Sequence, residues 1–186
     1  ELSVGCHVHF LSRLPSPKII MQALAEVKPN IVIAVPLVIE KIYKSKVKPI
    51  LEKEGIKFLM KVPGLDQIVL NKVKTELINA FGGEFYEVII GGAAFNKEVE
   101  AFFKRMGFPF TVGYGMTECA PIITYDDWKE EKLYSCGKAA PNMEVRIASA
   151  DPAEIPGEIQ VKGANVFLGY YKNDTATNDV FTEDGW

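Results

Sequence analysis

The residues best equipped for chemistry fall in two glycine-bearing loops. Gly91-Gly92-Ala93-Ala94 follows an apolar stretch ending at Ile90, and Gly113-Tyr114-Gly115-Met116-Thr117-Glu118 follows one beginning at Phe110. Paired glycines let a flat ligand approach the backbone without side-chain obstruction. The second loop sets an aromatic face between glycines, then a hydroxyl, then a carboxylate. An aromatic ring can stack on a base, a hydroxyl can donate to a phosphate oxygen, and a carboxylate can hold a hard cation such as Mg2+. Together these groups suit a nucleoside triphosphate whose phosphates are bridged by magnesium. For either loop taken singly, a plain turn at Gly91-Gly92 and a core role for Tyr114 are the simpler alternative. Their occurrence on one sheet edge weighs against it.

Those loops need a scaffold, and the pattern around them supplies one. Residues 5–10 read as a short strand. Ser16 is a helix cap with Pro17 in the first turn; Ile20, Ala23, Leu24 and Val27 then recur at helical spacing up to Pro29. Residues 30–35 form a β-branched apolar run suited to a strand covered on both faces, and a helix runs from Pro36 to about Lys48, before Pro49. Leu65, Ile68, Val69, Val73, Leu77, Ile78 and Phe81 trace one helical stripe ended by Gly82-Gly83. A strand follows at 85–90. Asn96 then caps a helix carrying Val99, Phe102, Phe103 and Met106, Gly107 stops it, and 110–114 is the next strand. Alternation of this kind predicts an α/β fold, a partial doubly wound parallel sheet with flanking helices, whose ligands sit beyond the carboxyl ends of the strands.

After Pro121 the pattern becomes short strands, at 144–147, 157–162 and 165–171, with corners at Asp151-Pro152 and Pro156-Gly157. This predicts a small antiparallel, barrel-like β subdomain. The expected division is residues 1–125 for the α/β subdomain and 126–186 for the β subdomain.

Composition excludes several classes. The chain has 186 residues, 48% hydrophobic and 24% charged, as expected for an ordinary globular protein. Its net charge of −3 argues against nucleic acid as a partner. The longest uncharged run, residues 106–117, is broken by glycine and proline and is far short of the roughly 20 residues a membrane span requires. The 3 cysteines, Cys6, Cys119 and Cys136, have no metal-ligand spacing, and a reducing cytoplasm fits them best.

The loop Gly113-Tyr114-Gly115-Met116-Thr117-Glu118 resembles the Tyr-Gly-x-Thr-Glu motif of the adenylate-forming superfamily, which includes acyl-CoA synthetases, luciferase-like enzymes and peptide-synthetase adenylation domains. Gly91-Gly92-Ala93 lies upstream, where that family has its Gly-Gly-Ala adenine loop. Downstream, residues 157–163 (Gly-Glu-Ile-Gln-Val-Lys-Gly) followed by Gly169-Tyr170-Tyr171 are similar to another family segment, and residues 181–186 resemble the stretch before its Thr-Gly-Asp motif. The segment 34–44 is similar to the long-chain fatty acid–CoA ligase branch. The resemblance implies a reaction in which a carboxylate attacks the α-phosphate of Mg·ATP, releasing pyrophosphate, and CoA then displaces AMP as a thioester. It implies catalytic roles for Thr117 and Glu118, and nucleotide binding by Gly91, Gly92, Ala93, Tyr114, Gly115, Met116 and Thr117. Mg2+ would be held by Glu118. Thr117 would contact the phosphate or the carboxylate being activated.

On the same resemblance, the Ser/Thr/Gly-rich phosphate loop would precede residue 1, and the ribose-gripping aspartate would follow Trp186. No G-x-x-x-x-G-K-[ST] sequence stands in for that loop. The expectation is a central slice of a longer ligase, inactive and without bound ATP, Mg2+ or CoA when alone. Fatty acid and CoA are the expected partners of the whole enzyme. An adenylation domain serving a carrier-protein thiol, and a non-catalytic nucleotide-binding domain, are the alternatives. An incomplete sheet would expose an edge and favour self-association.

Other features have plainer readings. His7 and His9 would share a strand face, but no further histidine completes a metal site. Cys119 has no identifiable base beside it. The 7 lysines at 41–61, against Glu52 and Glu54, are a solvated helix face, with peripheral contact to an anionic membrane as the functional alternative. Phe102, Phe103 and Met106 are core at helical spacing, with the lining of an acyl tunnel as the alternative.

Overall fold

The computed structural model describes residues 4–11 and 16–186. The chain divides into two compact units, Glu1–Phe110 and Thr111–Trp186.

The first unit is built as the helix caps dictate. Ser16 Oγ accepts from the Ile19 N–H at 3.3 Å and starts α1 (Pro17–Val27). Strand β1 (Ile31–Ala34) leads into α2 (Pro36–Ile42). Pro49 does not end this helix as expected. A π-helical turn (Tyr43–Val47) intervenes, with the Lys48 N–H reaching back to the Tyr43 carbonyl, and α3 (Lys48–Leu51) continues through the proline. The wider turn removes the clash that a proline ring makes with the carbonyl four residues back. The short α4 (Glu54–Leu59) precedes α5 (Leu65–Ala80).

Strand β2 (Glu87–Ile90) pairs in parallel with β1, Ile31 opposite Glu87 through Ala34 opposite Ile90. Asn96 Oδ1 accepts from the Glu98 and Val99 N–H groups to open α6 (Lys97–Met106), and left-handed Gly107 closes it. Acidic residues in its first turn and basic ones in its last complement the helix dipole. Strand β3 (Phe110–Val112) completes a 3-stranded sheet in the order β1-β2-β3. An aromatic cluster packs this unit: Phe103 meets Phe108 at 4.9 Å and Phe110 at 5.9 Å, and Phe81 meets Phe85 at 4.8 Å. Phe103 and Met106 are therefore core, as expected, whereas Phe102, of the same expected set, is half-buried against Tyr43.

Two expectations are corrected here. Residues 5–10 make no strand, since backbone alternation without a neighbouring ladder cannot hold one, and Phe10 is 86% exposed. The expected α5 stripe is buried at Val69, Val73, Leu77 and Phe81, but Leu65 and Ile68 are exposed and Leu70 is buried in their place. Contacts with α1, α6 and the π-helical turn, rather than the helix's own periodicity, choose that face.

In the second unit the expected strand 110–114 breaks at Gly113. Strand β4 (Tyr114–Gly115) joins a separate antiparallel sheet with β5 (Ile122–Tyr125) and β6 (Lys138–Ala139), in the order β4-β5-β6. Strands β7 (Met143–Ala148) and β8 (Glu158–Gly163) form a regular hairpin, Met143 opposite Gly163 through Ala148 opposite Glu158. The antiparallel part is thus two small sheets, with no closed barrel among the described residues. The expected strand at 165–171 is a looped segment followed by a helix not foreseen, α7 (Asp174–Val180).

The reassigned face of α5 is testable. Leu70→Ala is expected to cost about 2–5 kcal/mol, whereas Ile68→Ala stays within about 0.5 kcal/mol, as measured by chemical denaturation. Equal costs would return Ile68 to the core.

Candidate functional site

The Thr-Glu turn is the best-defined site in the second unit. Tyr114 pairs with Thr124 and Gly115 with Ile122, with a ladder irregularity between them. The Met116 N–H donates to the Pro121 carbonyl at 2.8 Å, the Cys119 N–H to Met116 at 2.9 Å, and the Ala120 N–H to Thr117 at 3.2 Å. Residues 116–121 thereby close into a compact loop around the 3-10 turn Thr117–Cys119. Gly115 is required by close approach, because a Cβ there would run into the Pro121 carbonyl.

The turn sorts its side chains by environment. Cys119 is buried with Ile123 and Met143, and Tyr114, Val145, Val161 and Val166 pack against them. Met116 and Thr117 are exposed, and Glu118 is half-buried. The Tyr170 hydroxyl donates to Glu118 Oε1 at 2.7 Å. That bond holds the Glu118 carboxyl below the usual carboxylate range and pushes the Tyr170 phenol above its own. Burial, and secondarily the Glu118 charge, push the Cys119 thiol up, so it stays protonated rather than acting as a nucleophile. A cavity of about 260 Å3 lies against this turn, lined by Glu118, Cys119, Val161, Phe167, Tyr170 and Trp186 among others.

The Gly91-Gly92-Ala93 loop stands at the carboxyl end of β2, in the first unit. The Gly91 N–H donates to the Ala34 carbonyl at 3.2 Å; Gly92 adopts φ +87° and, like Ala93, is exposed. Tyr114 through Glu118 are gathered in the second unit. Tyr114 is half-buried against the Cys119 cluster, so part of its ring serves the core.

Several residues of this neighbourhood carry no signal in a single sequence. Asn165 Nδ2 donates to the carbonyls of Cys119 at 2.6 Å and Ile122 at 3.2 Å. Arg146, on β7, makes a two-pronged pair with Asp184 at 2.7 and 3.1 Å, donates from Nε to Gln160 at 2.7 Å, and lies 4.4 Å from the centre of the Trp186 ring. Tyr170, Gln160, Asp184 and Trp186 sit in segments that resemble family motifs, but those motifs do not disclose their partners. His7 and His9 place their rings 4.2 Å apart, and among the described residues no group of three or more His, Cys, Asp or Glu could hold a metal. A single ionised carboxylate nevertheless suits Mg2+, which is commonly bound through one or two carboxylates together with substrate phosphates. No helix among the described residues is long and apolar enough to cross a membrane.

A parallel α/β unit followed by small antiparallel sheets that carry a Thr-Glu turn is the architecture of the large N-terminal domain of adenylate-forming enzymes. The chain belongs to the AMP-binding enzyme family, whose sequence profile matches residues 2–171. It is 28% identical to the long-chain-fatty-acid–CoA ligase FadD15 of Mycobacterium bovis, over 91% of this chain and 30% of that protein. It is 30% identical to long chain acyl-CoA synthetase 5 of Arabidopsis thaliana, over 91% and 29%. In fold it resembles the O-succinylbenzoate–CoA synthetase MenE of Bacillus subtilis in complex with AMP, with a TM-score of 0.64 and 21% identity over 92% of this chain and 30% of that one. The chain thus spans about 30% of the length of the ligases it matches.

The Arg146–Asp184 pair makes stability depend on pH in a defined sense. Asp184 has its carboxyl lowered from 3.8 to about 2, first by the Arg146 hydrogen bond and then by that of Thr182. Because the folded value lies below the unfolded one, the pair's contribution is complete above about pH 4 and is lost as the pH falls to about 2. Both side chains are partly exposed, so the effect is small. Melting curves of the wild-type protein and Asp184→Asn are expected to differ near neutrality and to converge toward about pH 2. A gap that stays constant across that range would contradict the pairing.

Proposed function

We propose that this chain supplies the nucleotide-binding portion of an ATP-dependent, AMP-forming long-chain fatty acid–CoA ligase. The family match and the long-chain acyl-CoA synthetase relatives support the class. The observation that carries the reading is Glu118, a carboxylate kept ionised and half-exposed beside the exposed Thr117 hydroxyl on a turn closed by the Met116, Cys119 and Ala120 N–H groups.

In the first step a fatty acid carboxylate oxygen bonds to the α-phosphorus of ATP, the α–β phosphoanhydride bond breaks, and pyrophosphate leaves. In the second, the CoA sulfur bonds to the acyl carbon, its proton passes to solvent, and AMP departs as the C–O bond breaks. Tyr114 would pack against the adenine, and Gly91, Gly92 and Ala93 would border it, with Gly115 and Met116 lining the nucleotide's path. Thr117 would donate its hydroxyl proton to a phosphate or carboxylate oxygen and hold that oxygen in line. Glu118 would ligate Mg2+, which when bound offsets the charge that builds on the phosphate oxygens. With about 30% of the length of its relatives, the chain alone is expected to be inactive.

ATP–pyrophosphate exchange driven by a long-chain fatty acid tests this reading in the full-length protein. Glu118→Ala is expected to lower exchange about 100-fold or more while shifting the melting temperature by no more than about 3 °C. A loss of exchange matched by a comparable loss of stability would make Glu118 structural, and absence of exchange in the wild-type protein with any carboxylate would overturn the function.

A further inference from the structure

Glu118 is embraced by one segment of chain, and that segment has no part in the chemistry just described. Residues 165–170 lie over the Thr-Glu turn and bond to it in three ways. The Phe167 N–H donates to the Glu118 carbonyl at 2.7 Å, Asn165 Nδ2 bridges the carbonyls of Cys119 and Ile122, and the Tyr170 hydroxyl reaches Glu118 Oε1 at 2.7 Å. The first two fix the backbone of the turn; the third fixes the carboxylate itself.

Tyr170 is in turn held from behind. Its N–H donates to Thr177 Oγ1 at 2.9 Å, and that hydroxyl donates to the Asn173 carbonyl at 2.9 Å, on the first turn of α7. The approach depends on Gly169, which has φ +142°, and a Cβ there would meet Thr177 Cγ2 at 2.6 Å. The Tyr170 ring sits edge-on to Phe167 at 4.8 Å, and Phe167 stacks on Phe181 at 5.9 Å. The ring's contacts therefore do not require the hydroxyl, which is spent on Glu118.

From this geometry we infer that Tyr170 is a positioning residue that sets the Glu118 carboxylate for binding the metal of a metal–nucleotide complex. The inference rests on the reading of Glu118 given above. A phenol has one proton to give; it takes Oε1, so a bound metal would be met through Oε2. A glutamate left to itself must give up rotamer freedom on ligation, and a carboxylate already oriented by a hydrogen bond loses less. Such outer partners of a ligating carboxylate typically change metal affinity or activity by 10–100-fold when removed.

The test uses Mn2+ in place of Mg2+, with a non-hydrolysable ATP analogue, bound to the full-length protein and followed by electron paramagnetic resonance. Tyr170→Phe keeps the ring against Phe167 and is expected to weaken Mn2+ binding about 10-fold. In turnover it is expected to lower kcat while leaving KM for the fatty acid unchanged. Thr177→Val, which retains the phenol but removes its backbone support, is expected to weaken Mn2+ in the same direction by a smaller factor. If Tyr170→Phe proves unstable, unchanged Mn2+ affinity in Thr177→Val overturns the inference. Wild-type affinity in Tyr170→Phe, with affinity lost in Glu118→Gln, overturns the role of Tyr170 and leaves Glu118 as the ligand. Wild-type affinity in both removes the metal reading of Glu118 and the inference with it.

Discussion

Cys119 and Glu118 are neighbours in sequence, and the chain must send the thiol of one into the core and the carboxylate of the other toward water. The compact loop 116–121 is how that constraint is met. Gly115 allows the strand to approach the Pro121 carbonyl, the Met116 and Cys119 N–H groups are satisfied within the loop, and Cys119 pins it to Ile123 and Met143. The closed turn thus presents the Thr117 and Glu118 side chains on its outer side while Cys119 anchors it. The hairpin β7-β8 backs the same core through Val145 and Val161, so the antiparallel sheets serve the turn as its floor.

How far this was legible in the sequence follows from the range of each interaction. Ser16, Asn96 and Gly107 act within a few residues of themselves, and their helix ends stand where cap chemistry places them. Strand β1 stands where its apolar run placed it, but at the end of the sheet, with Ile31 and Ile33 exposed rather than covered on both faces; β2 lies within the expected 85–90. Pro49 misled because the rule that proline stops a helix assumes an α-helical turn before it, and a π-helical turn lifts the clash. Leu70 displaced Ile68 from the buried face because packing partners outside the helix decide which side is covered. Residues 165–171 have the composition of a strand but no strand to pair with; they bond singly to the Thr-Glu turn instead.

The site divides in the same way. Tyr114 through Glu118 form one motif and could be found together. Tyr170 lies 52 residues from Glu118 and Arg146 lies 38 from Asp184, and no local period connects positions so far apart. The pairings of these side chains were thus what a single sequence hides, whereas the residues proposed to touch substrate were the ones it displays.

The account is tested most directly by a crystal structure of the full-length protein with Mg2+ and ATP bound. It predicts a Glu118 carboxylate oxygen at about 2.0–2.1 Å from the metal, with the Tyr170 hydroxyl still donating to the other oxygen. A metal ligated without Glu118 would contradict it.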